Sequence, residues 1–202
     1  MNRIILVLVF LVSAVSSPAQ TRWSLGIDYV ALRTNISVPN DAARAMLAPL
    51  NSHGGALSLQ WRVNERATIE SGAIFGAVGS RWTETSTQAR LESGNSMLAV
   101  PLLAHITMVA RGPLSLDATA GLAITRAGNG KLSNRDNDQV LGTFTTNHLG
   151  TAAILGTQIS FAHRFPIRAA IRYHYGLGST TQGEDGFIRG LNFLLGAKVM
   201  QW

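Results

Sequence analysis

Beyond about residue 20, apolar and polar residues alternate with a period of two, the signature of β-strands that present one apolar face. In Gly54–Val63, Leu57, Leu59, Trp61 and Val63 fall on one face and Ser58, Gln60 and Arg62 on the other. Leu114–Thr125 sets Leu114, Leu116, Ala118, Ala120, Leu122 and Ile124 against Ser115, Asp117, Thr119, Gly121 and Thr125. An early strand opposes Trp23, Leu25, Ile27 and Tyr29 to Ser24, Gly26 and Asp28. A late one opposes Ile167, Ala169, Ile171, Tyr173 and Tyr175 to Arg168, Arg172 and His174. Less regular strands are predicted near 67–78, 96–110 and 150–163, and a last one over 190–199. No amphipathic helix of comparable quality is present.

The connections alternate as strictly as the strands. Asn64-Glu65-Arg66, Arg111-Gly112-Pro113 and Arg164-Phe165-Pro166 read as tight turns. Between them lie polar stretches at 35–53, 79–95, 128–149 and 178–188, rich in Asn, Ser, Thr, Gly and Asp, which read as long solvated loops. Eight strands joined alternately by short and long connections predict an all-β, antiparallel up-and-down transmembrane barrel, with short periplasmic turns and long extracellular loops. Closure removes the unpaired strand edges that lipid does not tolerate.

The N-terminus and the composition place that barrel. Met1-Asn2-Arg3 precedes an almost unbroken apolar run from Ile4 to Val15, and Ser17-Pro18-Ala19 supplies small residues. This pattern predicts a signal peptide over 1–19, cleaved after Ala19, and one barrel domain over 20–202. Charged residues are 14% of the chain and Lys131 and Lys198 are the only lysines, too few for the hydrated skin of a soluble barrel. The polar strand faces carry mostly Gly, Ser, Thr, Ala and Gln, which suits a crowded interior, and aromatics gather at strand ends as interfacial girdles do. The apolar face therefore points to lipid, in the outer membrane. The chain has no cysteine, hence no disulfide framework. Its formal charge of +6 comes without a dense basic run or an aromatic platform, so nucleic acid is not the partner. Outer-membrane lipid and lipopolysaccharide phosphates are.

Inward positions then include Asp28, Arg62, Glu70, His105, Asp117, Arg168, Arg172 and His174. An eight-stranded barrel is just wide enough for side chains to fill it, and buried charges must be paired. The expectation is a salt-bridged plug rather than a channel. Arg33, Arg81, Arg126 and Arg189 fall near the outer ends of strands one, three, five and eight. Guanidinium groups bind phosphate in bidentate fashion, so these four are candidate lipopolysaccharide contacts, against the alternative that they satisfy carbonyls at loop bases. The five histidines are dispersed, none with an evident hydroxyl and orienting carboxylate, so no catalytic set, cofactor site or metal-ligand spacing is expected. Asn134, Asp136, Asn137 and Asp138 lack the glycine and distal glutamate of a calcium loop and read as a solvated tip.

Met97-Leu98-Ala99-Val100-Pro101-Leu102-Leu103-Ala104 resembles the fourth strand of PorT-type outer-membrane barrels, and Gly190–Lys198 resembles their Gly- and Leu-rich closing strand. The resemblance implies an OmpA/OmpX-like eight-stranded barrel; some such proteins serve secretion, so it does not settle the task. Trp202 fits the terminal aromatic read by the barrel-assembly machinery, but it shares parity with Lys198 and Met200 rather than with the apolar Leu191, Phe193, Leu195, Ala197 and Val199. A bulge or an overhang must intervene. Three roles stand open: a structural or loop-mediated interaction protein of the envelope with a protein partner there, a secretion accessory, and a barrel that binds a small molecule.

Overall fold

The computed structural model describes residues 22–37, 46–161, 166–177 and 187–201. The expected signal peptide and Trp202 lie outside them. Eight strands form one closed antiparallel ring in chain order: β1 (Arg22–Ser37), β2 (Ala48–Arg62), β3 (Ala67–Thr83), β4 (Arg90–Arg111), β5 (Leu114–Asn134), β6 (Gln139–Phe161), β7 (Ile167–Gly176) and β8 (Phe187–Gln201). β1 pairs with both β2 and β8, so no strand edge of the belt is left to lipid. Strand alternation fits the closure: β7 buries one face and exposes the other without a break.

The exposed face is apolar. Ile27, Leu57, Leu102, Ile106, Leu122, Leu155, Ile171 and Leu195 all stand more than a third exposed on the outside of the wall. The inside carries Asp28, Glu70, Asp117, Arg168 and Arg172, all under a tenth exposed. A soluble carrier has the reverse arrangement. Only a hydrocarbon surround makes this outer face stable, and the barrel spans the outer membrane. Leu122, in the middle of the belt, is the position to test. Leu122→Arg is expected to cost about 2–4 kcal/mol of folding free energy, read by urea titration of the refolded protein in vesicles. The same change at Leu141, on the outer part of β6, should cost far less.

The turns and loops divide differently. The tight turns at 63–66 and 112–113 are present, the second with Gly112 at φ 57, a left-handed conformation that glycine adopts without a Cβ penalty. The stretches 79–95 and 128–149, expected as loops, are largely strand: β3 runs to Thr83, β4 starts at Arg90, β5 runs to Asn134 and β6 starts at Gln139. Their Asn, Ser, Thr and Gly content reflects wet β-hairpins rather than loops, because a ladder above the membrane needs no apolar face. β4, β5 and β6 have 22, 21 and 23 residues, about twice the 9–11 that cross the membrane. The hairpins therefore stand well above the outer surface.

The parity problem at the C-terminus resolves as a bulge. The β1–β8 register jumps between Leu25 and Gly26, whose partners are Met200 and Lys198. Val199 is the extra residue, and the slip leaves Met200 exposed opposite Leu25.

Candidate functional site

Four of the predicted interior charges meet in one cluster. Asp28 on β1 and Arg168 on β7 both lie opposite Gly196 of β8, in one row across three strands. The glycine leaves open the space through which the guanidinium reaches the carboxylate. Arg168 Nε donates to Asp28 Oδ1 at 2.6 Å, and its Nη2 donates to Asp28 Oδ2 and to Ser58. Its Nη1 donates to Glu70 Oε2 at 3.1 Å. Arg172 Nη1 lies 2.8 Å from Glu70 Oε1, and its Nη2 donates to Gln158 at 3.4 Å. Gln60, opposite Glu70 in the register, donates to the same carboxylate at 2.6 Å. Two carboxylates and two guanidinium groups balance, which is the condition for burying charge in a low-dielectric interior.

The remaining interior predictions sit elsewhere. His105 joins the edge of the cluster, with Nε2 at 3.3 Å from Glu70 and Nδ1 at 3.0 Å from Thr119 Oγ1. Hydroxyl, imidazole and carboxylate thus do align, contrary to the expectation that no histidine has such partners. The alignment comes from cross-strand pairs far apart in sequence, His105 opposite Thr119 and Thr68. Thr119 is 3% exposed and the carboxylate is shared with both arginines, so the line is a structural hydrogen-bond chain. Asp117 accepts from Thr107 Oγ1 at 2.7 Å on the opposite wall, and His174 bonds Asn192 at 2.8 Å nearer the outer end. Arg62 departs from the prediction. Its parity is inward, but it is exposed at the turn-side mouth, where Nε and Nη2 donate to the carbonyls of Asn64 and Glu65 at 3.3 and 3.1 Å. At the last residue of the strand, a long side chain reaches the turn rather than the core.

On the outer side of the cluster, apolar groups share the interior with buried polar pairs such as His174 and Asn192. Val30, Leu32, Ala56, Ile74, Val78, Met97, Ala99, Ala170 and Leu194 form one packed group, and Leu103, Ala123 and Ile154 a second. Ser58, Gln60 and Gln158, which complete the cluster, were not singled out from sequence; inward parity is the signal that could have found them, with Gln60 opposite Glu70 and Gln158 opposite Asp117.

The four outer arginines occupy outward positions. Arg33 and Arg126 are exposed; Arg81 and Arg189 are half-buried. Arg33 lies opposite Leu191 and Arg189 opposite Asn35, which makes the two arginines diagonal neighbours on one face. Arg81 Nε donates to the Pro49 carbonyl at 2.9 Å, the loop-base role. His53, read as a loop residue, is in β2 with its ring stacked on Tyr29, centroids 5.7 Å apart, and hydrogen-bonded to it.

Above the rim, the hairpin tips are tied together. Arg90 donates to Asp136 from its backbone N, at 3.0 Å, and from Nε, at 2.6 Å, while Arg135 N donates to the Arg90 carbonyl at 2.8 Å. The tip read as solvated is thus anchored to β4. The backbone amide and then the side chain of Arg90 hold the Asp136 carboxyl below its ordinary range. A depressed folded-state pKa means the contact is fully present above the unfolded carboxylate value, about 4, and is lost as pH falls through the lowered one. Protection factors at Arg90 and Arg135, with intrinsic exchange divided out, should therefore fall at acid pH, and Asp136→Asn should lower them already at neutral pH. Among the described residues no three His, Asp or Glu side chains converge as a metal site.

The architecture defines a class. The fold matches solved outer-membrane barrels: the attachment invasion locus protein Ail of Yersinia pestis, in complex with the heparin analogue sucrose octasulfate, has a TM-score of 0.51 at 15% identity over 91% of this chain and 100% of that one. Neisserial surface protein A has a TM-score of 0.51 at 12% identity over 87% and 96%. No family model and no curated protein matches this chain. The protein is a small outer-membrane β-barrel of OmpA/OmpX-like architecture.

Proposed function

We propose that this barrel is a non-enzymatic structural or loop-mediated interaction protein of the envelope, with a plugged interior and a working surface on its outer side. The stacked order of the interior carries the reading: a balanced charge cluster across β1, β3 and β7, then an apolar layer that includes Leu103 and Ile154, both at most 1% exposed. Ions that entered from the turn side would have to break the first and dehydrate through the second. What remains for contact is the tied hairpin platform and the arginine rim. Arg33, Arg81, Arg126 and Arg189 are the rim residues we assign to lipopolysaccharide phosphates, and Arg81 also gives its Nε to a carbonyl. An envelope protein is the natural partner of the hairpins. Insertion by the barrel-assembly machinery, with Trp202 as its signal, belongs to the same reading.

Reconstitution in planar bilayers tests the plug. No steady conductance is expected from the protein, and sustained single-channel steps would overturn it. Charge reversal at Arg33 and Arg126 should reduce lipopolysaccharide retained through purification; unchanged retention would remove the rim contact. The PorT-like secretion role rests on Met97–Ala104 and Gly190–Lys198. Both segments lie in the barrel wall, where alternation between interior and lipid accounts for their apolar pattern, so this role stands second. Co-purification with secretion components would raise it.

A further inference from the structure

The turn-side mouth of the barrel encloses a cavity of about 400 Å³ outside the charge cluster. Its lining carries both signs of charge: Lys198 on β8 and Arg62 on β2 flank β1, Glu65 follows Arg62 in the turn, and Asp117 on β5 stands half a ring away, across from Lys198. Among the described residues Lys198 has no side-chain hydrogen bond and no carboxylate within 4.0 Å, although Asp117 lines the same space. Gln60, 2% exposed, gives its amide N–H to Glu70 and leaves Oε1 with no donor. A cationic donor and a carboxylate across from it thus open onto one cavity, while the Gln60 amide oxygen is closed off from it.

We propose that this vestibule binds a small zwitterion, an amino acid or dipeptide, whose carboxylate meets Lys198 and Arg62 and whose ammonium meets Asp117. The volume is within the range of small-molecule sites. Charge sets the selectivity through repulsion as much as attraction: a simple anion faces Asp117 unpaired, and a simple cation faces Lys198 and Arg62. The mouth opens on the periplasmic side, so the ligand is periplasmic, and the chemistry is recognition.

The test is an NMR titration of the isotope-labelled, full-length barrel in micelles with glycine, γ-aminobutyrate and glycylglycine, using acetate and methylammonium as single-charge controls. Saturable shifts at vestibule amides are expected with at least one zwitterion and with neither control. Lys198→Met and Asp117→Asn should each weaken that binding by about tenfold or more, with heat-modifiable gel mobility showing that each variant folds. Lys198 lies at the mouth near the end of β8, so its variant decides the matter if Asp117→Asn fails to assemble. Absence of saturation at millimolar concentrations, equal shifts from the controls, or unchanged affinity in Lys198→Met would overturn the proposal and leave a vestibule bridged by water only.

Discussion

Arg168→Met is expected to destabilise the barrel by about 3–5 kcal/mol, the cost of breaking a buried ion pair from one side. Arg168 is 2% exposed and binds both Asp28 and Glu70. Methionine keeps an unbranched stem but has no guanidinium, so the carboxylates lose their shared counter-ion. Glu70 keeps Arg172, Gln60 and His105; Asp28 keeps no cation among the described residues. Most of the loss should therefore trace to Asp28, and Asp28→Asn combined with Arg168→Met should recover part of it. Urea unfolding in vesicles, followed by tryptophan fluorescence and gel mobility, reads the difference. Trp23 and Trp61, stacked at 5.9 Å near the turn side, report on that half of the barrel. A loss below about 1 kcal/mol would put the cluster with solvated surface pairs and would undercut the plug as well.

Much of this architecture was legible because it follows from alternation. Strand number, parity and the apolar outward face are all local, two-residue properties. Parity also identified Asp28, Glu70, Arg168 and Arg172 as interior, since each sits among alternating apolar outward neighbours. Which charges touch was not legible. That Arg168 meets Asp28 depends on a third strand, β8, and on Gly196 lying opposite both. Arg62 shows the limit of parity: the face was right, but its depth along the barrel was set by how near the strand ends. Hairpin height was missed for a different reason. Above the membrane a ladder is wet on both faces, so Arg90–Ser96 and Gly128–Asn134 carry no apolar stripe to distinguish strand from loop. The bulge at Val199 was legible as a contradiction in parity before its position was known.

Gly196→Val is expected to block assembly altogether, so that the unheated protein runs at its unfolded mobility. A Cβ at Gly196 would lie 2.7 Å from Asp28 Cγ, in the gap that the Asp28–Arg168 pair occupies. The Ile27 carbonyl on the neighbouring strand crowds the same point. Neither obstacle is a flexible side-chain end, because Asp28 is pinned by two bonds to the guanidinium and the carbonyl belongs to the ladder. Valine must therefore push β8 from β1 at the seam where the ring closes, or expel Asp28 and leave Arg168 half-paired. Both routes are costly, and the first leaves a strand edge unpaired in lipid. Gly196→Ala should fold only poorly. Gly142→Ala, where a Cβ meets nothing within 4 Å, should fold as the parent does. The contrast matters because a glycine chosen only for local strand flexibility would tolerate alanine at both sites. If Gly196→Val refolds with normal heat-modifiability, the row from Asp28 through Gly196 to Arg168 is not what holds the barrel closed.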